Sequence, residues 1–294
     1  MSILSAAEAI PSRVSGVAQY LLRCPLRQET RDRLESALSP ANLQSERGEG
    51  AMVRIVVNEC VKMGLCRLED GVIKLSAITN EHLRRGRFSD AEFRDLLVEL
   101  LFHPGNNENH DFGRMLAWFL AQDVTTIRTD LDRFRELVTT QVGANYFGRI
   151  NDVTYEDFCY WSVYLGFARR HKLLAEEAEQ IVPDPTDYLE RALPVLFPEG
   201  KREAVPLHDL MARLAARCPV FEGGSLYTQV QQRLSDRPLG EAHSPISLAW
   251  LRLQDRGTVS LTNSSDAAGT VLKDGTERPR YTHAIWNAVR RGGA

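Results

Sequence analysis

The chain has 294 residues, 43% hydrophobic and 26% charged, with 36 Lys and Arg against 39 Asp and Glu for a formal net charge of −3. That is ordinary globular composition, long enough for two or three domains with buried cores. No uninterrupted apolar run approaches the roughly 20 residues that cross a bilayer, and Met1 to Ile10 holds Glu8 but no basic leader, so a soluble, cytoplasmic protein with no membrane association is expected.

In chain order, Pro11 and Ser12 open a first helical pattern from Ile10 to Leu22, with Val14, Val17, Ala18, Leu21 and Leu22 at helical spacing, and Pro25 ends it. A second helix is read from about Gln28 to Leu38, and the polar stretch Gln44 to Gly50 reads as a loop. The third carries Ile55, Val56, Val57, Cys60 and Val61 as an apolar stripe, stops at Met63-Gly64-Leu65, and leads into a hairpin, Cys66 to Leu75, turning at Asp70-Gly71. Three helices and a hairpin are the order of a winged helix-turn-helix, in which the third helix enters the major groove and the hairpin is the wing. Removing the apolar stripe leaves Arg54, Asn58, Glu59 and Lys62 outward on that helix, with Arg67 and Lys74 on the hairpin.

From Asn80 to Ala144 the pattern is helical throughout: Ser89-Asp90-Ala91-Glu92 opens one helix, and Phe112 to Leu120 and Leu131 to Val138 make two more. Aromatic residues at these spacings belong to a core. The apolar stretch Phe158 to Phe167 contains a second Gly corner at Leu165-Gly166-Phe167, followed by the basic cluster Arg169-Arg170-His171-Lys172 and by Ile181-Val182-Pro183. With Glu176, Glu177 and Glu179 so close, that cluster reads as a solvated hairpin tip before a wing on phosphate. A helix from Thr186 to Leu196 precedes a linker at Pro198-Glu199-Gly200-Lys201. Helices then follow at Leu207 to Ala216, Leu226 to Leu234 and around Leu248 to Leu253, with a third corner at Arg256-Gly257-Thr258 leading into a strand. Turn signals occur at Asn263 to Asp266, Lys273-Asp274-Gly275 and Arg278-Pro279-Arg280, and Thr282 to Arg290 reads as a short helix.

The expected fold is thus mainly α with short β-hairpins: repeated winged helix-turn-helix units around a helical middle region. The expected domains are 1–80, winged-helix; 81–198, helical with a second winged-helix-like unit; and 199–294, C-terminal winged-helix-like.

Catalytic chemistry is scarce. No Walker A loop, dinucleotide-binding G-x-G-x-x-G, H-E-x-x-H or G-x-S-x-G occurs. No two of the seven histidines stand at i, i+4, and the five cysteines lack paired spacing, so no metal site and no cofactor are expected. Pro183-Asp184 with Glu199-Gly200-Lys201 spells a loose nuclease signature, but a helix separates the two halves and Glu199 falls in a turn. A non-enzyme is expected.

The net charge is uneven: +1 over residues 1–80, −8 over 81–199 and +4 over 200–294. Phosphate binding favours the two ends. The C-terminal segment offers Arg252, Arg256, Lys273, Arg278 and Arg280 beside Arg290 and Arg291, and it is expected to carry most of any DNA affinity. Double-stranded DNA is one partner these residues suit; a larger protein complex, docked without DNA contact, is the other, since winged-helix folds serve both uses.

Three segments resemble the DpdG proteins: Ala9-Ile10-Pro11-Ser12-Arg13-Val14, then Leu165-Gly166-Phe167 with Pro183-Asp184-Pro185, then Leu253 to Leu261 with Ser265-Asp266-Ala267. Those are accessory proteins of bacterial gene clusters that insert 7-deazaguanine bases into DNA and restrict unmodified DNA. The resemblance spans most of the chain. It implies a non-catalytic partner of DNA-modification or restriction enzymes in phage defence, and it carries over no catalytic residue.

Overall fold

Proline tolerates the first turn of a helix because its missing N–H would find no partner there, and Pro11 begins α1 (Pro11–Arg23), which buries Val14, Val17, Ala18 and Leu21. The computed structural model describes residues 4, 6–39, 51–83, 86–103, 110–125, 127, 130–171, 180–197, 203–234, 242–264, 269–273 and 277–287. Those residues are mainly helical with small antiparallel strand pairs, and they divide into two bodies: Met1–Gly113 with Ile150–Leu165, and Arg114–Arg149 with Gly166–Ala294.

In the first body α1 is followed by β1 (Gln28–Thr30), α2 (Arg31–Leu38), α3 (Ala51–Lys62), β2 (Cys66–Glu69) and β3 (Val72–Leu75), whose strands form an antiparallel sheet in the order β1-β3-β2. Asp70 and Gly71 both take positive φ, 50° and 79°, as a tight hairpin turn matched to strand twist requires. Val56, Val57 and Cys60 are buried as expected, along with Val53. Ser76 caps α4 (Ala77–His82), and Ser89 with Glu92 forms the capping box of α5 (Asp90–Leu101).

The chain continues through α6 (His110–Leu120), α7 (Leu131–Gln141) and α8 (Asp152–Leu165). Phe112 of α6 meets Phe158 of α8 edge-on, 6.0 Å between centroids, in the first body. In the second body Trp118 packs edge-on to Phe134 of α7 at 5.1 Å, and its indole N–H donates to Gln141 Oε1 at 2.7 Å.

The second body continues with β4 (Ala168–His171), β5 (Gln180–Pro183), α9 (Thr186–Leu196), β6 (Val205–Pro206), α10 (Leu207–Arg217), α11 (Ser225–Gln231), α12 (Ser244–Asp255), β7 (Val259–Thr262), β8 (Thr270–Val271), β9 (Arg280–Tyr281) and β10 (His283–Trp286). The order β6-β10-β7 repeats the arrangement of the first sheet: the strand before the helices lies at one edge, and the last strand is central. The pair β8–β9 sits in the connection between β7 and β10.

One corner occurs three times. After α3, α8 and α12 the chain turns through Gly64, Gly166 and Gly257, at φ of 82°, 87° and 69°, a region that favours glycine. Two residues later a strand opens, at Cys66, Ala168 and Val259. Each pairs antiparallel over four residues with a returning strand: Cys66 faces Leu75, Ala168 faces Pro183, and Val259 faces Trp286. The residue just past each returning strand then donates its N–H to the carbonyl following the glycine: Ser76 to Leu65 at 3.0 Å, Asp184 to Phe167 at 3.0 Å, Asn287 to Thr258 at 2.9 Å.

Three expectations are corrected. The second helix starts at Arg31, because Leu26 and Arg27 take positive φ and send Gln28–Thr30 into pairing with β3. Thr282 to Trp286 is not helical: Ala284 faces both Val205 and Leu261 in the middle of a sheet and is fully buried. Glu59 does not point outward; it is 4% exposed and accepts from Lys62 Nζ at 2.5 Å. The expected loop at 44–50, the linker at Pro198 to Lys201, Lys172 with the glutamates after it, and Arg290 and Arg291 lie outside the described residues.

Candidate nucleic-acid interface

The outer side of α3 is set by its apolar stripe. With Val53, Val56, Val57 and Cys60 inward, helical spacing leaves Met52, Arg54 and Asn58 exposed and Lys62 half-exposed. Arg54 keeps 59% of its side chain exposed while donating to Glu35 Oε2 of α2 at 3.3 Å. Glu35 also accepts from Arg31 Nε at 2.7 Å, and Arg31 reaches on to Asn58 Oδ1 at 3.0 Å. Arg31, Glu35, Arg54 and Asn58 thus form one polar seam between α2 and α3. The i, i+4 spacing of Arg31 and Glu35 is visible in the sequence; their link to α3 is not.

On the sheet, Arg67 of β2 lies directly opposite Lys74 of β3, and Lys74 opposite Gln28 of β1. Lys74 Nζ pairs with Glu69 at 2.8 Å, and that hydrogen bond holds the Glu69 carboxyl below the usual carboxylate range. Arg67 is exposed and forms no salt bridge with a described residue.

The five C-terminal candidates are spread differently. Arg252 and Arg256 project from α12 onto carboxylates: Arg252 Nη1 donates to Asp184 Oδ2 at 2.5 Å, and Arg256 Nη1 to Glu190 Oε2 of α9 at 2.9 Å. Asp184 is 3% exposed and accepts also from Arg169 Nε of β4 at 2.7 Å and from the Thr186 hydroxyl. Lys273 pairs with Asp123, whose carboxyl is pushed up by burial but pulled further down by bonds from Lys273 and Thr125. Arg278 and Arg280 are exposed, and the Arg280 stem lies against Gly269, where a Cβ would come within 2.6 Å of its Cγ.

The structure therefore groups Arg54 with Asn58 and Arg67 with Lys74, and it places Arg252, Arg256 and Lys273 in three separate ion pairs. Sequence reasoning misses Asp184 as the acceptor that joins β4 to α12, a bond across 68 residues. Of the loose nuclease signature, Asp184 is occupied by these donors, and Glu199 and Lys201 lie outside the described residues. Among the described residues no three His, Cys, Asp or Glu side chains are grouped as metal ligands, and no helix is long and apolar enough to cross a membrane.

A family model described as DpdG-like matches residues 1–267. No curated protein and no solved structure matches the chain.

Proposed function

The chain belongs to the DpdG-like family, and from that premise we propose that it is a non-catalytic accessory protein of a DNA-modification system that contacts duplex DNA through winged helix-turn-helix modules. The observation that carries this reading is the order α1-β1-α2-α3-β2-β3 with its sheet order β1-β3-β2. In a winged helix-turn-helix, α3 would lie in the major groove and β2–β3 would be the wing on the flanking backbone. The proposed modules are residues 1–80, 81–198 and 199–294, the second built around the Gly166 corner. The proposed contacts are Arg54, Asn58, Lys62, Arg67 and Lys74 of the first module; net charge puts a rival set, Arg252, Arg256, Lys273, Arg278 and Arg280, on the last. Arg54 and Asn58 suit guanine and adenine edges, and the others suit phosphate.

A second reading, a subunit that docks on protein partners of the modification or defence complex without touching DNA, is favoured by the pairing of Arg54, Lys62, Lys74, Arg252, Arg256 and Lys273 with carboxylates of the same chain. Titrating a labelled duplex at several salt concentrations separates the two. DNA contact gives log K falling linearly with log salt, by about 0.9 per phosphate neutralised. Absence of binding at about 50 mM salt, or a flat slope, supports docking instead.

A further inference from the structure

The three glycine corners allow the helices that enter them to be compared position by position. Ten, six and two residues before the glycine, α3 carries Arg54, Asn58 and Lys62; α8 carries Glu156, Tyr160 and Tyr164; α12 carries Ser247, Leu251 and Asp255. In α3 the first two are exposed and polar or cationic. In α8 the same row is acidic and aromatic, with Val153 exposed beside it and Tyr164 donating to Asp90 Oδ1 at 2.9 Å. In α12 the row begins inside the protein: Ser247 is fully buried, as is much of the helix before it, and the neighbouring Ser244 hydroxyl accepts from the Val124 N–H at 3.0 Å. A recognition helix must offer its N-terminal half to the groove; α12 buries that half, α8 exposes it but with Asp152 and Glu156, which phosphate repels, and only α3 exposes it with a cation and an amide.

The strands diverge in the same way. Three residues past the glycine stand Arg67, Arg169 and Ser260, and opposite them on the returning strand stand Lys74, Val182 and Ile285. Arg169, the counterpart of Arg67, is bound by Asp184, which follows its returning strand where the first corner has Ser76. Arg252 is held on the same carboxylate.

We infer that the chain carries a single duplex-reading unit, α3 with β2 and β3, and that the Gly166 and Gly257 corners are structural copies whose equivalent helix rows do not suit DNA, the one being acidic and aromatic and the other starting buried. The inference rests on the DNA-contact reading and narrows it. Net charge alone favours the C-terminal segment; the exposed face favours residues 51–75.

The test is anisotropy of the full chain on short duplexes across salt concentrations, comparing R67A/K74A with R278A/R280A. Both pairs change half-exposed or exposed side chains, and far-ultraviolet circular dichroism checks that each variant folds. R67A/K74A should lower the salt slope by roughly two units, about one for each phosphate no longer neutralised, while R278A/R280A leaves slope and affinity unchanged. R54A should narrow the gap between best and worst sequences by roughly tenfold. Wild-type binding that survives R67A/K74A unchanged, or that falls with R278A/R280A, overturns the single-unit inference. A wild type that binds no duplex at about 50 mM salt overturns the DNA reading itself, and the inference with it.

Discussion

At Gly166 two demands meet on one residue. Its φ of 87° suits a residue without a side chain, and a Cβ would stand 2.6 Å from Asp187 Oδ2 and 3.0 Å from the Tyr188 N–H nitrogen. At Gly257 only the first demand applies, for nothing lies within 4 Å of the added carbon. Both alanine variants should be destabilised by the about 1–2 kcal/mol of the left-handed region, and Gly166→Ala by about 1–3 kcal/mol more for overpacking. Equal unfolding midpoints in urea would contradict the close approach. Asp157 of α8 offers a change of opposite sign. Its Oδ2 is buried without a hydrogen-bond partner among the described residues, and desolvation, then the charges of Glu8 and Glu156, push its carboxyl up to about 6. A carboxyl raised in the folded state penalises folding once ionised, so the penalty grows from about pH 4, where the unfolded chain titrates, and is complete above about pH 6. Asp157→Asn should raise the melting temperature at pH 7.5 and lose that advantage at pH 4. A variant less stable at pH 7.5 would show that the carboxylate has a partner.

Between elements, Asp184 has the clearest structural consequence. One buried carboxylate fastens the β4–β5 hairpin to α12 through Arg169 and Arg252 and holds the Thr186 N–H at the start of α9 at 3.1 Å. Wholly buried pairs cost about 3–5 kcal/mol to break by removing one partner. Both guanidiniums here are nearly half exposed, so Asp184→Asn should cost about 2 kcal/mol, measured by chemical denaturation; a change within about 0.5 kcal/mol would mean that solvent already satisfies the arginines. This network is invisible in the sequence because its members are far apart along the chain. The Asp70-Gly71 turn, the Ser89–Glu92 capping box and the three glycine corners are legible because each is written within a few neighbouring residues. β1 reads as helix in the sequence since three residues carry too little period to outweigh their surroundings, and its pairing partner lies more than forty residues on. β10 reads as helix for the same reason. In α3 the period is clear and the i, i+3 spacing of Glu59 and Lys62 is visible, but neither shows that Glu59 is buried, so the period puts it outside.

For the whole molecule, the recurrence of one corner with one hydrogen bond is set against the divergence of the surfaces around it. The acidic middle segment, at −8, contains α8, whose outward row is acidic and aromatic; the C-terminal segment, at +4, commits Arg252, Arg256 and Lys273 to internal pairs, as the first unit commits Arg54, Lys62 and Lys74, so what separates the two is the exposed row of α3. Charge summed over a segment is thus a poor guide to where phosphate binds, because it counts cations already neutralised by the fold. The central proposal, one open unit between α3 and β3, is tested most directly by amide hydrogen exchange of the full chain with and without a saturating duplex. Protection should rise in peptides covering residues 51–75 and stay unchanged in those covering 244–287. Protection confined to 244–287 would contradict it.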